Sequence, residues 1–109
     1  MAKATDIWMP IAIGDFVAAT MHLNTAEIGA YFLIIMHQWQ AGHIPPDDLQ
    51  NITRMDSKQW KKSEARIKKF LSVDEEGCFF QKRTEAEKVK AEAVSQKNKK
   101  NGAPKLPPN

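Results

Sequence analysis

Apolar positions along this chain come in clusters separated by polar or Gly/Pro-rich breaks, and the spacing within each cluster predicts an element. Ile7 to Ile13 is a short apolar run interrupted by Pro10, which suits an edge strand or an extended lead-in. Gly14-Asp15 breaks it, and Phe16 to Met21 follows as a short helix. Asn24, with Glu27 three residues on, forms a capping pair, so a helix starts there and runs to Gln40 or Ala41 before Gly42 stops it. Ile28, Tyr31, Phe32, Ile35 and Trp39 share one face of this helix, while Leu33, Ile34 and Met36 cover much of the rest. A helix apolar nearly all round is buried on most sides, either by its own chain or, through a second face, in a homodimer. Gly29-Ala30 would let another backbone come close.

Pro45-Pro46 then forces an extended turn, and Asp47 to Leu71 has the pattern of a helix-turn-helix. Its first helix is expected over Asp47 to Arg54, with Leu49 and Ile52 on one face. Met55-Asp56-Ser57 forms the turn, in which Asp56 or Ser57 caps a second helix. At 100° per residue that helix gathers Trp60, Ile67, Phe70 and Leu71 in one sector and Lys58, Lys62, Ala65, Arg66 and Lys69 opposite. Beyond it, two apolar stretches flank Asp74-Glu75-Glu76-Gly77, the composition of a β-hairpin with glycine in the left-handed position. A hairpin directly after a basic helix is the wing of a winged helix. The expected fold is therefore mainly α with a small β-hairpin, a winged helix-turn-helix over residues 1–83. A C-terminal basic helix follows over 84–98, docked through Glu85 to Val89, and then a disordered tail over 99–109.

Composition adds limits. With 109 residues, 42% hydrophobic and 27% charged, the chain is expected to be one globular domain. The lone Cys78 and the scattered His22, His37 and His43 have no metal-ligand spacing, so no metal or other cofactor is expected. His37, opposite the most apolar face of its helix, reads as a boundary residue. Asp47 and Asp48 diverge by about 100° and serve a helix N-terminus better than a metal. No glycine-rich phosphate loop or convergent polar constellation appears, so an enzyme is not expected. No apolar run approaches membrane-spanning length and no signal-peptide pattern opens the chain, which makes a cytoplasmic location the expectation and a membrane partner unexpected.

Charge distribution changes the picture most. Residues 1–57 hold two bases against six acids, a balance of −4; residues 58–109 hold fourteen bases against seven acids, +7, for a net charge of +3. This asymmetry favours an anionic partner on one side of the fold. The expected contacts to double-stranded DNA are Lys58, Gln59, Lys61, Lys62, Arg66 and Lys69, with Gln59 best able to read a base edge. Secondary basic contacts are Lys82, Arg83, Lys97, Lys99 and Lys100. The abundance of lysine suits backbone attraction better than bidentate guanine reading, and three carboxylates at the wing tip would repel phosphate. A second class stays open: a small interaction module whose basic face meets an acidic protein surface.

Ile13-Gly14-Asp15, Thr20, His22-Leu23, Glu27, Gly29-Ala30-Tyr31, Trp39, Ile44-Pro45, Asp47-Asp48, Trp60, Phe70, Gly77, Arg83 and Glu87, in that order, carry a family likeness. The sequence resembles the YdaU-like domain family of phages and prophages from about Ile7 to Gly102, with a looser match after Pro46. The resemblance implies a winged-helix-like N-terminal domain encoded in phage replication regions, often beside helicase-loader genes, and a role like that of an origin-binding initiator. It makes replication initiation, or its regulation, the expected process in the cytoplasm of a bacterial host cell. It also makes the alternative interaction module a phage-encoded regulator or inhibitor with a protein partner from the replication or host machinery.

Overall fold

The computed structural model describes the backbone of residues 8–100 and the side chains of residues 8–94. In chain order the elements are α1 (Ile13–Ala19), α2 (Thr25–Ala41), a 3-10 turn (Pro46–Asp48), α3 (Leu49–Thr53), α4 (Ser57–Lys68), β1 (Ser72–Val73), β2 (Phe79–Phe80) and α5 (Lys82–Lys100). The protein is mainly helical, with one two-stranded antiparallel hairpin.

Helix starts follow the local code. Asn24 caps α2 by accepting the Glu27 N–H at 2.8 Å, while Glu27 Oε1 accepts the Asn24 N–H at 3.0 Å. Gly42, at φ +92°, takes a conformation that ends the helix and that a side chain would resist. Asp56 and Gln59 repeat the reciprocal cap at the start of α4.

Elsewhere tertiary contacts move the boundaries. Gly14-Asp15 does not break the chain as expected: both lie in the first turn of α1, which spans Ile13–Ala19 rather than Phe16 to Met21. Phe16 explains the shift: its ring stacks on Tyr31 at 5.5 Å and lies 5.7 Å from Phe32, so packing on α2 outweighs the cost of a helical glycine. The first helix of the expected helix-turn-helix is split into the 3-10 turn, opened by Pro46, and the short α3. Arg54 ends α3 in the left-handed region at φ 62°. The second helix stops at Lys68, and Phe70 and Leu71 pack from the segment beyond it, with Phe70 4.9 Å from Tyr31.

The core is built from Ala30, Ile34, Ile44, Leu49, Met55 and Ile67, with Ile52, Trp60, Leu71 and Phe79 packed around it. On α2 the buried positions are Glu27, Ala30, Tyr31, Ile34, Ile35, Gln38 and Trp39, so the inward stripe includes two polar residues that a count of apolar positions passes over. Ile28 and Phe32 are only half-buried. No element of the described chain uses the close approach that Gly29 would allow, since a Cβ there would meet nothing within 4 Å.

The hairpin forms where expected. Ser72 pairs with Phe80 and Val73 with Phe79, and Gly77 turns the chain at φ +83°. Ile44 adds a bridge on the other side of β2, exchanging two backbone hydrogen bonds with Phe79 at 2.7 and 2.8 Å. Helix α5 docks through polar groups rather than through Val89, which is 58% exposed. Buried Gln38 donates to the Gln81 carbonyl (3.1 Å) and Glu85 Oε1 (3.1 Å) and accepts the Gln81 N–H (2.7 Å); Lys88 donates to the Gln38 carbonyl at 3.4 Å. The helix continues through Lys99 and Lys100, where a tail is expected from the sequence; residues 101–109 lie outside the described residues.

Candidate nucleic-acid interface

Helix α4, with its C-cap Lys69, carries the six residues that the sequence singles out as direct DNA contacts. Its inward side is fixed by fully buried Ile67 and buried Ser63. At 100° per residue, Lys58, Lys61, Lys62 and Lys69 fall within about 60° of the direction opposite Ile67. All four are exposed, and none forms an ion pair among the described residues. The one acid of α4, Glu64, lies on its flank and is paired with Lys68. The result is a lysine face, unneutralised among the described residues, with Lys58, Lys61 and Lys62 in the N-terminal half of α4 and Lys69 at its C-cap.

Two of the other expected contacts have prior commitments. Gln59 is exposed, but its side chain folds back to accept the Asp56 N–H at 3.4 Å, so reaching a base edge would release that half of the cap. Arg66 bonds both carboxylate oxygens of Glu27, at 3.1 and 3.0 Å. The Glu27 side chain is 1% exposed and that of Arg66 49%. Ser63 donates to the same carboxylate at 2.8 Å. Burial alone would push the Glu27 carboxyl up, but the Asn24 N–H, the Ser63 hydroxyl and Arg66 together hold it below the ordinary carboxylate range. Arg66 is thus the counter-ion of a buried carboxylate on α2, a role set by a partner 39 residues away that spacing within α4 could not reveal.

The secondary positions also divide. Lys82 is exposed at the start of α5. Arg83 is paired with Asp15 of α1, at the rim of a cavity of about 430 Å³ that no residue of α4 lines. Lys97, Lys99 and Lys100 lie on the last turns of α5, where side chains are outside the described residues.

At the hairpin the carboxylates do different work. Asp74 Oδ1 accepts the N–H groups of Glu76 and Cys78 at 2.9 Å each and so organises the turn. Its Oδ2 lies 2.7 Å from His43 Nδ1. Glu75 and Glu76 remain exposed at the tip. Histidine spacing gives no hint of this pairing, because His43 and Asp74 lie 31 residues apart. Among the described residues no group of three His, Cys, Asp or Glu side chains is placed to hold a metal ion, and no helix is long and apolar enough to cross a membrane.

The profile of the family described as protein of unknown function DUF1376 matches residues 7–88. The uncharacterized protein YdaU of Escherichia coli (strain K12) is 38% identical over 65 residues, which cover 59% of this chain and 23% of that protein. The match thus spans less than a quarter of the relative's length. No solved structure matches the chain. By the extent of the family match, the chain belongs to this YdaU-like family, DUF1376.

Proposed function

We propose that the domain is a non-catalytic winged-helix module that binds double-stranded DNA through the lysine stripe of α4. The observation that carries this reading is the stripe itself: Lys58, Lys61, Lys62 and Lys69 on one face, exposed and without ion pairs among the described residues, opposite buried Ile67. The order of elements supports the winged-helix assignment. A long helix, a bridging residue, two helices and a hairpin follow one another, with Ile44 and β1 flanking β2. In helix-turn-helix proteins the second helix of the pair enters the major groove by its N-terminal part, and here that part holds Lys58, Lys61 and Lys62. Lysine attracts the phosphate backbone without reading bases bidentately, so the expected binding has weak sequence preference. Glu75 and Glu76 keep the wing tip off phosphate. The process proposed for such a module is replication initiation or its regulation.

Fluorescence anisotropy with a labelled duplex tests the reading. Four phosphate contacts give a log–log salt slope of about −3.6, a loss of roughly 100-fold in affinity between about 50 and 200 mM salt. Lys58→Glu/Lys62→Glu should halve the slope and abolish binding at moderate salt while the fold is retained, whereas Lys90→Glu on α5 should bind within a few-fold of wild type. Arg66→Glu is a poor probe, because it would place a second carboxylate beside buried Glu27. Absence of wild-type binding at low salt, or a stripe variant that binds as wild type does, refutes the proposal. The acidic hairpin tip favours one second reading, a module that regulates or inhibits a host protein complex. A specific protein partner that survives nuclease and is lost in the stripe variant would support it over DNA.

A further inference from the structure

His43 stands in the loop after α2, between two carboxylates from separate elements. Its Nδ1 lies 2.7 Å from Asp74 Oδ2 in the hairpin turn, and its Nε2 lies 3.2 Å from Glu85 Oε1 in the first turns of α5. The ring stacks on Phe80 of β2 at 4.4 Å, with the planes only 9° apart. An ionised carboxylate only accepts hydrogen bonds, and a neutral imidazole has one N–H. Both contacts are therefore favourable together only when both ring nitrogens carry protons. Removing one proton turns a nitrogen lone pair toward a carboxylate and breaks one side of the bridge.

We propose that His43 is a proton-dependent clasp joining the hairpin turn to the start of α5, so that the seating of both elements depends on the protonation of one ring. Asp74 from the hairpin and Glu85 from α5 are the charged groups that face the ring. From α2 the neighbouring group is uncharged Gln38, which donates to Glu85 Oε1 at 3.1 Å; Lys88 of α5 donates to the Gln38 carbonyl. On α4, Lys68 lies 5.3 Å from the Phe79 ring centroid and is paired with Glu64. Glu76 and Cys78 belong to the same hairpin turn and donate their N–H groups to Asp74. The Asp74 hydrogen bond, with Glu85 adding to it against partial burial, raises the imidazole's pKa above its ordinary value. Asp74 is in turn held below the usual carboxylate range, chiefly by His43 and the Cys78 N–H. The sign follows: the clasp is closed below the unfolded imidazole value of about 6.5 and opens as pH rises through the higher folded value.

The clasp is independent of DNA binding and can be tested on the full chain without a ligand. NMR titration of the His43 ring gives its midpoint, and amide hydrogen exchange reports on residues 72–80 and 82–88 at pH values on either side of it. The expected midpoint lies above about 6.5, and Asp74→Asn and Glu85→Gln should each lower it. Both variants retain an acceptor oxygen, and the amide oxygen of Asp74→Asn can still take the two N–H groups that organise the turn. Protection of the two segments, corrected for intrinsic base catalysis, should fall several-fold across the wild-type midpoint and show no such step in His43→Gln. A midpoint at or below the free value, or protection that ignores the titration, overturns the proposal.

Discussion

Arg66→Met tests whether Glu27 is a buried charge held by Arg66. The substitution keeps most of the side chain's methylene packing and removes the guanidinium that contacts both carboxylate oxygens. What remains for Glu27 is the Ser63 hydroxyl at 2.8 Å and the Asn24 N–H at 3.0 Å, neither of which neutralises a carboxylate that is 1% exposed. Breaking a fully buried pair costs about 3–5 kcal/mol; because Arg66 is half in water, its attraction is partly screened and the expected loss is about 2–3 kcal/mol at pH 7. For a domain of this size that lowers Tm by roughly 10–20 °C. Urea unfolding followed by fluorescence of Trp39 and Trp60, one buried and one half-buried, measures it.

The pH dependence identifies the cause. In the wild type the Glu27 pKa is lowered, so its contribution is present above the unfolded value of about 4.3 and is lost as pH falls through the lower folded value. Without Arg66 the folded carboxyl titrates at higher pH than in the wild type, takes up its proton sooner and then no longer needs a counter-ion. The gap between the two proteins should therefore narrow as pH falls below about 5. Glu27→Gln/Arg66→Met, which buries no charge, should recover at least half of the loss at pH 7. A gap unchanged between pH 7 and pH 4, or an Arg66→Met protein as stable as wild type, refutes the assignment of Arg66 as counter-ion.

Two further outcomes follow from the fold. Gln38→Leu leaves the Gln81 N–H and carbonyl without their partner and should cost about 2–3 kcal/mol in urea unfolding, with faster amide exchange at residues 81–85; retained protection there would show that α5 is held by other contacts. Arg54→Gly relieves a left-handed backbone at the end of α3 at some cost in chain entropy, for a net gain of about 0.5 kcal/mol and a Tm higher by a few degrees, and a lower Tm would locate a stabilising role in the Arg54 side chain.

The parts of this fold that are legible in the sequence are those written in adjacent residues. Asn24 with Glu27, and Asp56 ahead of its helix, mark helix starts because a cap is made by side chains within three positions. The Gly77 turn is equally local. The α1 boundary is not, since what holds Gly14-Asp15 in helix is Phe16 packing on α2. The inward face of α2 is only partly legible for a related reason. Counting apolar residues alone selects Ile28, Tyr31, Phe32, Ile35 and Trp39, of which Tyr31, Ile35 and Trp39 are buried, whereas the buried stripe also takes in Glu27 and Gln38, which are eleven residues apart and so about 20° from alignment.

Those two polar residues close the stripe at its ends because each meets a group that apolar side chains cannot satisfy. Gln38 pairs with the Gln81 N–H and carbonyl at the start of α5, and Glu27 pairs with Ser63 and Arg66 of α4. The second contact bears directly on the candidate interface. Ser63 and Arg66 lie one and four residues beyond Lys62, on the side of α4 that turns toward α2, so holding both to one buried carboxylate fixes the rotation of α4 about its own axis. That rotation keeps Ile67 inward and the four lysines outward. The lysine stripe is visible within α4 alone, but the residue that aims it is a glutamate on another helix, one that local reading identifies only as a cap.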